Sequence, residues 1–303
     1  MPLDFKLVPQ MLSSRGARWS STENSITKLD PQIRRRRLGF VPGPNDLSLK
    51  HREDLAKIHH QASTMALAVA PPLYPLTYDL RAVSGQSFIT PVKDQQQCGC
   101  CVAFGTVAAI EGTFQVSTNH PNSGIDLSEA HLFFCYGAAA GRVCGCNNEA
   151  TGGWWPQAAL DACMNGIATE NSFPYPDEST CLDRDCTGLN PTWQSSAEKV
   201  TGSHSLNSAN DMKTWISTRG PLVTTMSVYE DLYGYNQGVY HYISGSLEGG
   251  HCVCAVGYDD NQQCWICKNS WGTAWGQAGF FLIGYGECGI DATMYAVEGV
   301  LQL

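Results

Sequence analysis

The sequence predicts an α+β protein built as a helical half followed by a sheet half, with a cleft between them. Three observations carry this. Apolar runs with helix stops fill the middle of the chain, strand-like runs follow Pro221, and the reactive residue types are divided between the two stretches. Residues 1–72 are rich in Pro, Ser and Arg and weakly periodic, so they read as an appendage and not an independent domain. One helix fits there, from about Leu49 to Val69, ended by Pro71-Pro72, and the rest looks extended. Residues 73–303 form the main domain, and the texture changes at Tyr74. Val102 to Val116 carries apolar residues on nearly every side, as a buried helix does. Ser128 can cap a second helix through Leu132-Phe133-Phe134. Trp154 to Asn165 reads as a third, stopped by Gly166, and Asn207 to Arg219 as a fourth, stopped by Gly220-Pro221. Strands are expected at Leu222–Val228, Val239–Tyr242, Cys252–Tyr258, Cys264–Lys268 and Phe280–Ile283. Asp259-Asp260-Asn261-Gln262 supplies turn chemistry between two of them.

The chain has 303 residues, 43% hydrophobic and 16% charged, an ordinary globular composition. No apolar stretch reaches about 18 residues, so no membrane-spanning helix and no membrane partner are expected. The net charge of −9 hides an asymmetry: residues 1–72 carry +5 and residues 73–303 carry −14. An acidic body argues against nucleic acid as a partner. The run Arg34-Arg35-Arg36-Arg37 reads first as a solvated charge block, with a processing site or a clamp onto the acidic body as the sharper alternatives. Fourteen cysteines favour an oxidising compartment, secreted or periplasmic, although Met1-Pro2-Leu3-Asp4-Phe5 does not open a secretory signal. The cysteine pairs could suggest zinc or an iron–sulfur cluster. Against that, Cys252 and Cys254 share one strand face as small buried residues would, while Cys264 and Cys267 point to opposite faces. No metal and no cofactor are expected.

The most informative stretch is Gln95-Gln96-Gln97-Cys98-Gly99-Cys100-Cys101-Val102-Ala103-Phe104. A cysteine at the start of a helix feels the positive end of its dipole, which favours thiolate. Gly249-Gly250-His251 and Lys268-Asn269-Ser270-Trp271-Gly272 follow in the second half. A thiolate, an imidazole and an amide to orient it are the parts of a cysteine nucleophile. Taken singly, Cys101 would be a buried structural thiol, His251 a core histidine and Asn269-Ser270-Trp271 a turn.

Together these segments resemble the papain family of cysteine proteases. The resemblance runs from about Tyr74 to the C-terminus. It includes Tyr78-Asp79-Leu80-Arg81, Thr90-Pro91-Val92-Lys93-Asp94-Gln95, Leu127-Ser128-Glu129-Ala130, Val256-Gly257-Tyr258 and Thr273-Ala274-Trp275-Gly276. His251 and Asn269 stand 150 and 168 residues after Cys101, a spacing typical of that family. The resemblance implies a papain-like two-lobe fold, with a helical left lobe, a β-barrel-like right lobe and the active-site cleft between them. It also implies roles: Cys101 as nucleophile, His251 as general acid/base, Asn269 as its orienter, and Gln95 as an oxyanion donor. Gly99, Gly152, Gly153 and Trp271 would bind substrate, with the glycine pair matching an extended peptide. Thr293 would floor the main specificity pocket and favour an apolar residue two before the scissile bond. Gln95 is selected over Gln96 and Gln97 by register alone.

The family's bridges imply Cys98 with Cys144 or Cys146, and Cys135 with Cys181; Cys186 would then take the spare member of the 144/146 pair. Cys288 lacks its usual partner near position 245, which here is Gly245. Two departures flank the nucleophile: Cys100 where a small Ser or Ala is usual, and Val102 where an aromatic is usual. Leu38-Gly39-Phe40-Val41-Pro42-Gly43-Pro44-Asn45-Asp46 resembles an extension of bacterial papain-like proteases. The charge split suggests that residues 1–72 pack on the acidic body and cover the cleft, as an intramolecular inhibitor. The expected function is a monomeric cysteine endopeptidase acting on protein and peptide substrates. The rivals are an acyl transferase or deamidase on the same fold, and a non-catalytic binding module.

Overall fold

A computed structural model describes residues 3–67, 74–146, 152–177 and 180–303. The N-terminal stretch is more ordered than its composition suggests. Besides the expected long helix, observed as α3 (Leu49–Leu67), it holds α1 (Val8–Ser14), β1 (Trp19–Ser21) and α2 (Pro31–Arg35). The predicted end of the long helix at Val69 and Pro71-Pro72 lies outside the described residues. Asp30 caps α2, accepting the Gln32 N–H at 2.8 Å, and Pro31 opens it without losing a needed donor. Phe5, Val8, Leu12, Trp19 and Ile26 are buried, so this stretch has no core of its own and shares that of the main domain.

The arginine run is not a solvated block. Arg34 is buried, its Nη1 donating to the carbonyls of Thr27 (3.0 Å) and Leu29 (3.1 Å) beneath the rings of Phe5 and Tyr233. Arg35 pairs with Glu248, and Arg37 with Asp94. Spacing could not show this, because the partners lie 57 and 213 residues away.

In the helical half, α4 (Cys101–Ser117) is buried without interruption from Cys101 to Thr113. Ser128 Oγ accepts the His131 N–H at 2.8 Å, and the segment it starts winds as a π-helix over His131–Gly137. Helix α5 (Pro156–Cys163) begins two residues later than expected, because Trp154 is committed to a bridge with Phe40. Helix α6 (Ala209–Thr218) is capped by Ser208.

The other strands are β2 (Thr77–Asp79), β3 (Glu198–Val200), β4 (Ser203–Leu206), β5 (Leu222–Tyr229), β6 (Tyr235–Tyr240), β7 (Leu247–Asp259), β8 (Cys264–Lys268), β9 (Phe280–Gly284), β10 (Met294–Val297) and β11 (Val300–Gln302). The main sheet runs β1-β6-β9-β8-β7-β5-β10-β4, with β2 also on β7, and does not close into a barrel. Its edge strand β1 comes from the N-terminal stretch and pairs antiparallel with β6, Trp19 opposite Gly238. That pairing explains why β6 starts at Tyr235, earlier than its own sequence suggests.

Three disulfides are present: Cys98–Cys144, Cys135–Cys186 and Cys146–Cys181. The first is one of the two options the resemblance left open. The other two exchange partners relative to the expected Cys135–Cys181 and Cys186–Cys146. Their Cα atoms stand 4.9 and 5.4 Å apart, within bridging range. Connectivity is a property of loop placement, which spacing does not encode. Cys252, Cys254, Cys264, Cys267 and Cys288 are free and buried.

Candidate active site

The cleft forms where the start of α4 meets β7 and the turn after β8. Cys101 is the first residue of α4, and its Sγ accepts the Cys252 N–H at 3.3 Å. That bond sets the thiol beside the residue following His251. His251 Nε2 donates to Asn269 Oδ1 at 2.7 Å. The same oxygen accepts the Ser270 N–H at 2.8 Å, which identifies it as the acceptor and places the imidazole proton on Nε2. His251 Nδ1 is buried with no hydrogen-bond partner among the described residues. Trp271 lies over the imidazole at 4.8 Å between ring centroids and is itself 1% exposed, so water is kept from the His–Asn contact.

Gln95 is wholly buried. Its Nε2 donates to the Arg37 carbonyl (3.0 Å) and the Cys98 carbonyl (2.8 Å), while its Oε1 accepts the Ser270 hydroxyl at 2.6 Å. Gln96 turns away with φ +56° and reaches Pro176. A backbone seam joins the halves here, Gln95 N–H to Ser270 O (2.9 Å) and Gly272 N–H to Lys93 O (3.2 Å). Cys100 is buried beside Tyr175, whose hydroxyl donates to the Gln95 carbonyl at 2.8 Å and stands 3.2 Å from the Cys100 sulfur.

Residues 39–41 of the N-terminal stretch make backbone bonds to Trp154 and Gly250. Trp154 N–H donates to Gly39 O (2.8 Å), Val41 N–H to Trp154 O (3.0 Å) and Phe40 N–H to Gly250 O (3.0 Å). A Cβ on Gly39 would stand 1.8 Å from the Gly99 carbonyl oxygen, so only glycine passes. On this wall residues 39–41 pair with Trp154, the residue that follows Gly152-Gly153. Gly152 bridges to Val143 instead. Gly153, at φ +80°, turns the chain so that Trp154 faces the cleft; a Cβ there would meet the Gly39 carbonyl oxygen at 2.3 Å. Thr293 is half-buried. Its hydroxyl donates to Asn207 (3.0 Å) and its carbonyl accepts Arg52 Nη2 (3.3 Å). The ring against Gly250 is Phe40, with the Arg52 guanidinium 5.4 Å from its centroid.

Burial dominates the electrostatics. It pushes the Cys101 thiol up to about 12, opposed by the backbone N–H groups of Cys252 and Gly39. It pushes His251 down to about 4; the Asn269 bond opposes this and the nearby Arg37 cation reinforces it. Both shifts favour the neutral form, of the thiol and of the imidazole. Beneath them Glu111 on α4 accepts from Thr90 (2.5 Å) and the Leu127 N–H (2.8 Å), and Lys268 Nζ donates to Thr90 at 2.9 Å. Burial raises the Glu111 carboxyl and lowers the Lys268 ammonium, as expected of charges drawn out of water.

Sequence reasoning gave no role to Trp154, Ser270, Asp94, Glu248 or Tyr175. Ser270 sits inside the motif that supplied Asn269 and could have been found there; the others carry no local signal.

Residues 74–298 match the model of a family described as papain family cysteine protease. The chain is 30% identical over 284 residues to "Cathepsin B-like cysteine proteinase 3" of Caenorhabditis elegans, covering 85% of this chain and 75% of that one. It is 31% identical over 218 residues to "Cathepsin B-like protease 1" of Arabidopsis thaliana, where the match covers 66% of this chain and 55% of the relative's length. Among solved structures, "proCathepsin B S9 from Trypanosoma congolense" superposes with a TM-score of 0.74 at 22% identity, covering 98% of both chains. "Recombinant stem bromelain precursor" gives 0.65 at 21% identity over 96% of this chain and 87% of that one. These relatives are eukaryotic and lend no support to a bacterial affinity for the N-terminal stretch.

Proposed function

The chain belongs to the papain family of cysteine proteases, and on that premise we propose that it is a cysteine endopeptidase held latent by its own N-terminal extension. The observation that carries the reading is the state of His251: one ring nitrogen is bound to Asn269 and the other is buried and unpartnered, while the N–H of the next residue, Cys252, holds the Cys101 sulfur. That bare nitrogen is the proton acceptor a thiol nucleophile needs. His251 would take the Cys101 proton, the thiolate would attack the scissile carbonyl, and the imidazolium would return the proton to the leaving amine. Gln95 Nε2, with the Cys101 N–H, would stabilise the tetrahedral oxyanion. In the covered protein the Arg37 carbonyl takes that Gln95 donor, and Gly39 takes the space above Gly99.

Latency follows from direction as well as coverage. Residues 39–41 pair along the Trp154 wall, where the acyl part of a substrate would lie, while Arg37 lies toward Trp271, on the leaving-group side. A substrate runs the other way, so no extension peptide bond meets the thiol in a productive sense. An epoxide thiol trap should label Cys101 slowly in the full chain and faster in Arg35→Ala/Arg37→Ala, with labelling abolished by His251→Ala. Internally quenched peptides should be cleaved once the extension is displaced. Equal labelling rates in all three proteins would sink the reading; labelling without cleavage of any peptide would retain the nucleophile and reject the peptidase.

A further inference from the structure

The extension grips the two ends of the cleft by different forces. Along Trp154 and Gly250 it is held by backbone hydrogen bonds, which read no side chain. Toward Trp271 it is held by charge. Arg37 Nη1 meets Asp94 Oδ1 at 2.8 Å, and Arg35 makes a forked pair with Glu248, Nε to Oε2 and Nη2 to Oε1, both 2.9 Å. Both carboxylates belong to the leaving-group wall. Asp94 forms a backbone bridge with Trp271, and a Cβ on Gly272 would stand 3.1 Å from its Oδ2. Glu248 lies three residues before His251 on β7, with its side chain wholly covered in the presence of Arg35. Tyr233, whose ring lies 5.4 Å from that of Trp271, feels the Glu248 charge. When the extension leaves, two carboxylates on this wall lose their cations in a domain that already carries −14.

We propose that Asp94 and Glu248 form an acidic leaving-group subsite, so that the enzyme selects peptides with arginine or lysine within the first three positions after the scissile bond. The inference deepens the peptidase reading and rests on it. Geometry sets the positions. The Arg37 carbonyl sits on the oxyanion donor, so its side chain marks the neighbourhood of the first leaving-group residue; Arg35, two residues on, marks the neighbourhood of the third. Guanidinium–carboxylate forks are directional and suit side-chain selection. Reversal of the chain does not matter to this, because a carboxylate reads charge and not backbone polarity.

The test uses the full chain after displacement of its extension, with active sites counted by the epoxide trap. Three quenched peptides share one acyl half and carry Arg, Gln or Glu in the leaving half. kcat/KM should fall in that order, about five- to tenfold from Arg to Gln, and the preference should shrink between 20 mM and 500 mM salt, where exposed charges are screened over about 3–5 Å. Asp94→Asn and Glu248→Gln should each lower the Arg-to-Gln ratio, and Glu248→Lys should shift preference toward Glu. The salt comparison on the unaltered protein needs no variant to fold. Equal kcat/KM for the three peptides would overturn the subsite and leave the peptidase standing, the pairs then serving only to hold the extension. Labelling of Cys101 with no peptide cleaved would overturn both.

Discussion

All six bridged cysteines lie in the helical half, and all five cysteines of the sheet half are free. The two halves solve one problem in different ways. The sheet half is a continuous ladder from β6 through β10, in which each strand satisfies its neighbour and thiols fill small apolar spaces. The helical half carries long irregular connections between α4 and α5 and beyond α5, and their backbone has no ladder. Cross-links take its place, removing freedom from the unfolded chain. The proposed catalytic groups are divided accordingly: Cys101 and Gln95 come from the stapled half, His251 and Asn269 from the ladder.

The seam between the halves should be the most sensitive point. Glu111 on α4 and Lys268 on β8 are buried and meet through Thr90. Glu111→Ala leaves a buried ammonium unpaired and should cost about 3–5 kcal/mol in urea unfolding. Replacing both by well-packed apolar residues should recover most of it. A loss under about 1 kcal/mol for the single variant would show that the seam is not where the halves depend on each other.

Breaking a staple should come next. Cys98→Ala/Cys144→Ala opens a bridge of sequence separation 46 and should cost about 2–4 kcal/mol. Hydrogen exchange should quicken around Gly99 and Val143 and stay unchanged in β7 and β8. Quickening throughout the sheet would erase the contrast between halves. Non-reducing peptide mapping should recover Cys135 with Cys186 and Cys146 with Cys181.

Those pairings show what the sequence could and could not convey. The periods of α4, β5 and β8 placed those elements within a residue or two, because periodicity is local. The register of Cys101, His251 and Asn269 came with motifs that carry their own neighbours. Cys146, Cys181 and Cys186 sit on loops whose mutual approach is set by the rest of the fold, so two of three pairings were exchanged. The pairing of Trp154 with Gly39 and Val41 had no local signal, because the positive φ of Gly153 decides which backbone meets them. The arginine run looked solvated, because Asp94 and Glu248 are distant in sequence and near only in space.

The ladder half also holds the pH-sensitive group that feels Arg37 of the N-terminal stretch. Covered, His251 is pushed down to about 4 by burial; uncovered, it should titrate nearer the ordinary value of about 6.5. Between those values the uncovered state binds a proton that the covered state excludes. The covered state therefore loses stability as pH falls through about 6.5 toward 4, and gains nothing further above it. Arg37, Asn269 and Trp271 face the ring, and of these only Arg37 carries charge. Exchange of the Phe40 and Val41 amides, corrected for intrinsic rates, should quicken roughly tenfold between pH 7 and pH 5. The same acceleration in His251→Ala would assign the effect elsewhere.

The smallest expected effect tests whether the halves also cooperate in chemistry. Ser270 follows Asn269, the proposed orienter, in the sheet half, yet its hydroxyl donates to Gln95 Oε1 of the helical half at 2.6 Å. That bond and the one from Nε2 to the Cys98 carbonyl together fix which end of the Gln95 amide faces the cleft. With the second alone the amide is held less firmly and turns part of the time to present its oxygen to a developing oxyanion. Ser270→Ala should lower kcat by about tenfold with KM little changed, less than the 10²–10³ lost when an oxyanion donor is deleted outright. A peptide aldehyde, which forms an oxyanion on addition to the thiol, should bind about tenfold more weakly. Iodoacetamide, which alkylates without forming one, should react at the wild-type rate. A fall in both would mean that Ser270 supports the thiol or His251 generally, and that the sheet half does not set the oxyanion donor of its neighbour.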